Sequence, residues 1–350
     1  MTALFHHWWR RLTVALLGFG FCFTLLLESA VGQSDGRTEL APAVVQGHWV
    51  RPAVERPVAP VWGHADGLRV GLHPLRGPRG LLRIYAPYLG HEPERMINFI
   101  AVEPIPIRSN RRGLSELEHS QLDSVRGKRF WSANEVEDLA PQPSDRPAQG
   151  TVETVDGVQC LRVFILIERF ENGAHVYLRL TFRADRPHEV GVAAFMHDDS
   201  TELSRLIVTA TMGNYARLRR LQLADRVVEA GELWPDFRGN DFTPHARFAL
   251  KELARTADGG VIASATTDEM DPAQAAYAPF TSRHWRYAGK QAVQSWRTVD
   301  PHPQLEVLVN GRRVYWGGRS PIPGGISFEN FEMAAPFHQG DEYWFGVEPK

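Results

Sequence analysis

Cysteine is nearly absent from this chain. Its 350 residues include two, Cys22 and Cys160. Cys22 lies in an apolar N-terminal stretch; once that stretch is removed, Cys160 stands alone and forms no intramolecular disulfide. A thiolate-rich zinc site is excluded on the same ground. A chain of this length can stabilise itself by core burial without such staples. A dominant charge is lacking too: 39 basic residues stand against 41 acidic ones, for a net charge of -2. With no basic field to gather it, nucleic acid is not an expected partner. No Gly-rich phosphate loop, HExxH, GxSxG or EF-hand loop occurs, so nucleotide-driven chemistry, zinc proteolysis and serine hydrolysis are not expected. No cofactor and no metal site are expected. Long amphipathic helical patterns are scarce, with short ones at 251–255 and 271–277, and no fixed-period repeat is present.

The N-terminus reads as an export signal. "HHWWRR" (His6–Arg11) is a basic segment, "LTVALLGFGFCFTLLL" (Leu12–Leu27) is apolar and uncharged, and Ala30-Val31-Gly32 supplies small residues before a cut at Gln33. The apolar run is short for a bilayer span of about 20 residues, which leaves an uncleaved anchor as the second reading and the one route to a membrane. Phe21 before Cys22 does not suit a lipid anchor, and Arg10-Arg11 only hints at a twin-arginine signal. The expected location is extracytoplasmic, periplasmic or secreted. The expected organisation is a signal peptide over 1–32, an extended linker or arm over 33–60 and one large β domain over 61–350.

Short apolar runs between turn residues recur from Gly67 onward. Leu68–Pro74, Leu81–Pro87 and Met96–Pro104 read as strands, and Arg108–Ala148 reads as a long loop. "CLRVFILIERFENGAHVYLRLTFR" (Cys160–Arg183) carries Asn172-Gly173 at its centre and reads as a hairpin with a two-residue turn. Its register puts Val163, Ile165 and Ile167 on a core face with Val176, Leu178, Leu180 and Phe182. The opposite face mixes aromatics and charges, including Phe164, Tyr177 and Arg179. "QLEVLVNGRRVYW" (Gln304–Trp316) reads as a second hairpin about Asn310-Gly311, with Trp316 in the core rather than serving as a sugar platform. Further strands are expected at 189–196, 206–211, 215–223, 246–250, 261–265, 293–297 and 343–347. The fold class is therefore all-β: a large antiparallel β-sandwich, supersandwich-like, with few short helices.

Four constellations could carry chemistry. In "TATMGNYARLRRLQL" (Thr209–Leu223), strand spacing places Tyr215, Arg217 and Arg219 on one face beside Asn214. Such a row suits an anionic or polyhydroxyl ligand, or else a solvated face with cross-strand ion pairs. In "FMHDDS" (Phe195–Ser200), His197 beside two aspartates could act as an acid or base or help hold a divalent cation, or the group is an acidic turn. In "RHWRYAGKQAVQSWR" (Arg283–Arg297), Trp285 and Trp296 lie among basic residues, as a sugar-stacking patch or as loop anchors. In "PIPGGISFENFEM" (Pro321–Met333), strict alternation would mix a carboxylate with apolar groups on each face, and buried carboxylates are costly. A bulge at Glu329-Asn330 resolves this. It sends Ile326, Phe328, Phe331 and Met333 into the core and turns Glu329 or Asn330 outward with Glu332. The plain alternative is an edge strand with exposed glutamates.

The C-terminal segment resembles galactose-mutarotase-type proteins. The resemblance rests on Glu329 or Glu332 on a strand, then Pro336, Gly340-Asp341 and the final "YWFGVEP" (Tyr343–Pro349). It implies a sugar-binding β-supersandwich whose C-terminal glutamate is the base. The family's paired-histidine motif is not recognisable here, and His175 and His197 stand in by position alone. Polysaccharide lyases use similar sandwiches, and Tyr215, Arg217 and Asn214 are similar to the residue types they place at the scissile bond. The expected function is an exported carbohydrate-active protein that binds, and epimerises or cleaves, a sugar or uronic-acid polysaccharide. Expected in catalysis are Glu329, Glu332, Tyr215 and His197. Expected in binding are Arg217, Arg219, Asn214, Asn330, Arg179 and Trp285. The competing class is a non-catalytic carbohydrate-binding or cell-envelope structural protein.

Overall fold

The computed structural model describes residues 40–53, 58–93, 95–136, 143–144, 146–269, 276–281, 286–316 and 320–350. The expected signal segment 1–32 and Trp285 lie outside them. One compact unit spans Glu39–Lys350. Its described residues form two antiparallel sheets. In spatial order, the ten-stranded sheet is β1 (Val44–Gln46), β2 (Trp49–Arg51), β3 (Val61–His64), β4 (Arg69–Gly71), β5 (Leu82–Tyr85), β6 (Met96–Pro106), β12 (Leu203–Ala210), β20 (Ser327–Pro336), β19 (Glu306–Arg312) and β15 (Ala246–Ala249). The eleven-stranded sheet is β14 (Val227–Glu229), β13 (Leu218–Gln222), β17 (Val261–Thr267), β18 (Ala292–Thr298), β21 (Glu342–Pro349), β11 (Glu189–Met196), β10 (Val176–Arg183), β9 (Val158–Ile167) and β7 (Phe130–Ala133). Off this path, β8 (Thr151–Val155) joins β9 and β16 (Ala254–Arg255) joins β17. The all-β sandwich expected from the strand pattern is the observed fold.

One hydrophobic core joins the inner faces of both sheets. Val163, Ile165 and Ile167 meet Val176, Leu178, Leu180 and Phe182 there, all fully buried. Alternation explains this: each of these strands gives every second side chain to the core. Val102 and Val208 of the other sheet join the same cluster, together with Phe331 and Met333.

Several expectations need correction. The β9–β10 connection is longer than two residues: Tyr177 pairs with Leu166, a register shifted by two from the one centred on Asn172-Gly173. A shift of two preserves facing, so the core face is unchanged. Asn310-Gly311 is no turn at all. β19 runs through it and pairs with β15 and β20, and Trp316 stands beyond the strand end, 37% exposed. An Asn-Gly pair is a turn signal by its tolerance of positive φ, but here the dipeptide sits opposite a bulge. Part of the expected arm supplies β1 and β2, and part of the expected long loop supplies β7. The stretch expected as a strand from Tyr215 is a turn over 213–217, with Arg217 in the left-handed region at φ 53°. Tyr215 and Arg217 therefore do not share a strand face with Arg219. The expected helix at 251–255 is a single 3-10 turn, Leu250–Glu252, running into β16. Most of 271–277 lies outside the described residues.

Candidate functional site

The bulge is where the hydrophobic pattern of β20 asks for it. Val309 pairs with Phe331 and Gly311 with Phe328, so Glu329 and Asn330 together oppose Asn310. Phe328, Phe331 and Met333 enter the core. Glu329 and Glu332 leave it on the other face of the ten-stranded sheet, as the bulge requires. They do not reach solvent: Glu329 is 2% exposed and Glu332 0%. Asn310 Oδ1 accepts the Asn330 backbone N–H at 3.1 Å and holds the bulge open. The turn after β12 seals its other side, with Gly213 N–H on Glu329 O at 3.1 Å. A Cβ at Gly213 would lie 2.8 Å from Phe328 O, so this approach requires glycine.

Neighbouring elements supply further groups to this outer face. Glu103 comes from β6 and is buried. Arg112 follows it in the connection to β7, with Nη1 at 2.8 Å from Glu103 Oε2 and 3.5 Å from Glu332 Oε2. His245 Nε2 lies 3.0 Å from Glu332 Oε1 and 3.2 Å from Asn310 Nδ2. Thr209 of β12 is the direct cross-strand partner of Glu332 and so points to the same face. The connection after β6 is pinned down rather than slack: Ser115 and Lys128 are fully buried, and Ser115 Oγ accepts the Val102 N–H at 3.0 Å. It thereby fixes Arg112 and Glu116.

Burial sets the electrostatics of the site. It pushes the Glu329 carboxyl up to about 8; Arg312 opposes the rise, Glu116 adds to it, and the Asn214 backbone N–H holds the carboxylate form. Glu103 is pushed up to about 8 by burial and by the neighbouring Glu332, against the pull of Arg112. Burial likewise raises Glu116 to about 7, opposed by Arg126. Near neutral pH this face therefore holds carboxyl groups that still carry their protons. Several of its buried polar atoms have no hydrogen-bond partner within the protein: Glu329 Oε2, Glu332 Oε2, Asn330 Oδ1, Thr209 Oγ1 and both side-chain atoms of Asn214. Buried polar groups are nearly always hydrogen-bonded, so this cluster of exceptions makes the face a candidate site.

Of the residues expected in the site, Glu329, Glu332, Asn330 and Asn214 come together here. The side chains of the others do not join them through any described contact. Arg217 pairs with Glu269, lies 4.8 Å over the Tyr277 ring, and donates to Ala276 O at 2.7 Å. Arg219 pairs with Asp268 at 2.7 Å and donates to Ile326 O and Pro323 O. Both guanidiniums are buried, and their charge is already met inside the protein. Tyr215 is buried in the core and accepts a hydrogen bond from Arg95 at 3.2 Å. His197 and Arg179 belong to the outer face of the eleven-stranded sheet. His197 stacks on His175 at 4.0 Å, His175 Nδ1 lies 2.6 Å from Asp199, and Arg179 reaches Glu342 at 3.6 Å. The expected basic-aromatic patch also disperses: Trp296 is fully buried, and Arg297 clamps Glu189. Among the described residues, no group of three His, Cys, Asp or Glu is arranged to hold a metal ion, including that around His197.

Sequence reasoning missed Glu103, Arg112, Glu116, Thr209, His245 and Arg312. One signal was available. Glu103 is the lone charge in "MINFIAVEPIP", and a charge inside an apolar central strand needs a reason.

Comparison with known proteins adds little. No family model matches the chain, and no curated protein matches it. Among solved structures HI1317 is similar at 10% identity and a TM-score of 0.24, covering 88% of this chain and 97% of that one. A likeness that slight fixes neither fold nor function.

Proposed function

We propose that the outer face of the ten-stranded sheet is an acid–base active site acting on a saccharide. The observation that carries this reading is the bulge at Glu329-Asn330. It turns two glutamates onto one buried face and leaves an oxygen of each without a hydrogen bond, that of Glu332 having only the 3.5 Å ion pair with Arg112. Glu329 retains its proton at neutral pH and serves as the general acid, a role for which a raised carboxyl is suited. This refines the expectation that either glutamate is the base. Glu332, steadied by His245 and Arg112, takes a proton from a sugar hydroxyl. Glu329 gives one to the ring oxygen as the ring C–O bond breaks and the anomeric oxygen becomes the open-chain carbonyl. In cleavage Glu332 instead takes the proton of a water that attacks the anomeric carbon, while Glu329 protonates the departing glycosidic oxygen. The pair moves one proton each way in both cases. Asn214, Asn330 and Thr209 offer the hydrogen-bonding groups that hydroxyls require. The resemblance of the C-terminal segment to mutarotase-type proteins supports the same class of substrate, and the 1–32 segment supports an exported location.

The test is a turnover screen of the chain from Gln33 onward against neutral and acidic saccharides. Polarimetry follows anomer exchange, and reducing-end assays follow cleavage. Turnover that E329Q and E332Q both abolish is the expected result. Turnover that survives both substitutions refutes the assignment, and binding without any turnover favours a carbohydrate-binding protein instead.

A further inference from the structure

Phe242, Phe280 and Trp316 are the exposed aromatic side chains among the described residues. Two of the three stand side by side. The rings of Phe242 and Trp316 lie 5.9 Å apart, tilted by 40°, with exposures of 40% and 37%. The Arg312 guanidinium sits over both, 5.0 Å from the Phe242 centroid and 4.8 Å from that of Trp316. Arg312 is also the cation that opposes the rise of Glu329, so one guanidinium joins the aromatic pair to the buried carboxyl.

The backbone makes this neighbourhood rigid. Thr243 N–H donates to Gly311 O at 2.9 Å, and Gly311 N–H donates to Thr243 Oγ1 at 2.8 Å, which clamps Phe242 beside the end of β19. His245, two residues further on, is the partner of Glu332. Beyond β19, Tyr315 N–H bonds Ser320 O and Ile322 N–H bonds Arg313 O, so Trp316 stands on a braced extension of the strand. The stretches that hold Asn310 and His245 in the site therefore also hold the two rings at its edge. Arg312 is itself buried, has an Nε atom with no partner in the protein, and keeps Nη2 on Asn240 O at 3.2 Å.

Resting on the reading of the Glu329 site as a saccharide site, we propose that Trp316 and Phe242 form a sugar-stacking subsite at its entrance, which makes the substrate an oligosaccharide. The apolar C–H face of a pyranose buries its surface on such rings, while its hydroxyls stay at the wet rim. Arg312 covers one side of each ring, and what it leaves open is available to the sugar. A sugar on the rings lies past Arg312 from Glu329.

The test compares D-glucose and D-galactose with cello-, laminari- and malto-tetraose by isothermal titration calorimetry on the chain from Gln33 onward. At least one tetraose is expected to bind tighter than either monosaccharide, and W316A and F242A each to reduce that gain by about threefold to tenfold. W316F is expected to keep part of it, and all three variants to melt with the parent. If saccharides bind but chain length and both alanine variants leave affinity unchanged, the subsite is overturned and the Glu329 reading stands. If no saccharide binds, both fall.

Discussion

On the outer face of the ten-stranded sheet, polar side chains are buried and short of partners. On the outer face of the eleven-stranded sheet His175, Arg179 and Glu342 are part-exposed and paired, although Arg179 Nε and His197 Nε2 lack a hydrogen-bond partner. The first face has Glu103, Glu329 and Glu332 at or below 6% exposure, with an oxygen on each of the last two that makes no hydrogen bond. The second has Tyr177 stacked on Phe195 at 5.3 Å, Arg179 over the Phe195 ring, and Thr181 Oγ1 donating to Glu342 at 2.8 Å. Both faces carry histidine, arginine and carboxylate. What separates them is desolvation: a polar group in water needs no partner, whereas a buried one without a partner carries the full cost of its lost hydration. Recovery of that cost by a ligand is what the proposed function asks of the first face, where the carboxyls are the more deeply buried.

The largest expected effect breaks the first face. E329Q and E332Q each lower turnover about 100-fold or more, the scale of a positioned acid or base, read as kcat on the best substrate of the screen. R112A comes next. It leaves Glu103 and Glu332 facing each other without the cation between them and destabilises the fold by about 2 kcal/mol, read by urea titration. The figure is kept low because the Arg112 side chain is 27% exposed. An R112A protein as stable as the parent would show that water already screens the pair.

The fold was legible because alternation is a local property, and a two-residue register error at Asn172-Gly173 leaves every side chain on its proper face. The bulge was legible for a related reason: two phenylalanines and two glutamates in "FENFE" cannot all be satisfied by a regular strand. The rest of the site was not legible. Glu103, Thr209, His245 and Arg312 come from four separate stretches that only sheet order brings together, and nothing local in the sequence records that β6, β12, β20, β19 and β15 are neighbours. Burial misled as well. Tyr215, Arg217 and Arg219 have the composition of a binding row, but the turn at 213–217 buries Tyr215 and Arg217, and Glu269 and Asp268 meet the arginine charges.

The pH dependence sharpens the comparison. Glu329 and Glu103 have folded-state values near 8, above the ordinary carboxylate value of 4.5. Between those limits the folded state binds more protons than the unfolded chain, so stability falls as pH rises. The stabilising share of these groups is complete below about pH 4.5 and is lost as pH rises through about 8. Thermal melts from pH 5 to 9 are expected to show this decline, and E329Q to flatten part of it, melting about 2–6 °C above the parent at pH 8. A parent whose melting point climbs from pH 5 to 8 would mean that these carboxyls are ionised in the fold.

The smallest effects belong to the second face. H197A removes a ring stacked on His175, and burial together with His175 already lowers the affinity of His197 for a proton, so little charge is lost with it. R179A breaks a 3.6 Å contact to Glu342, a carboxylate that keeps its Thr181 hydrogen bond. A half-exposed ion pair of this kind is worth about 0.2–1 kcal/mol, because water solvates each partner nearly as well as the other does. Both variants are therefore expected to fold within about 1 kcal/mol of the parent and to keep its kcat. A tenfold loss of kcat in either would place a working group on the eleven-stranded sheet's outer face. Desolvation would then no longer distinguish the proposed catalytic face of this sandwich from the other.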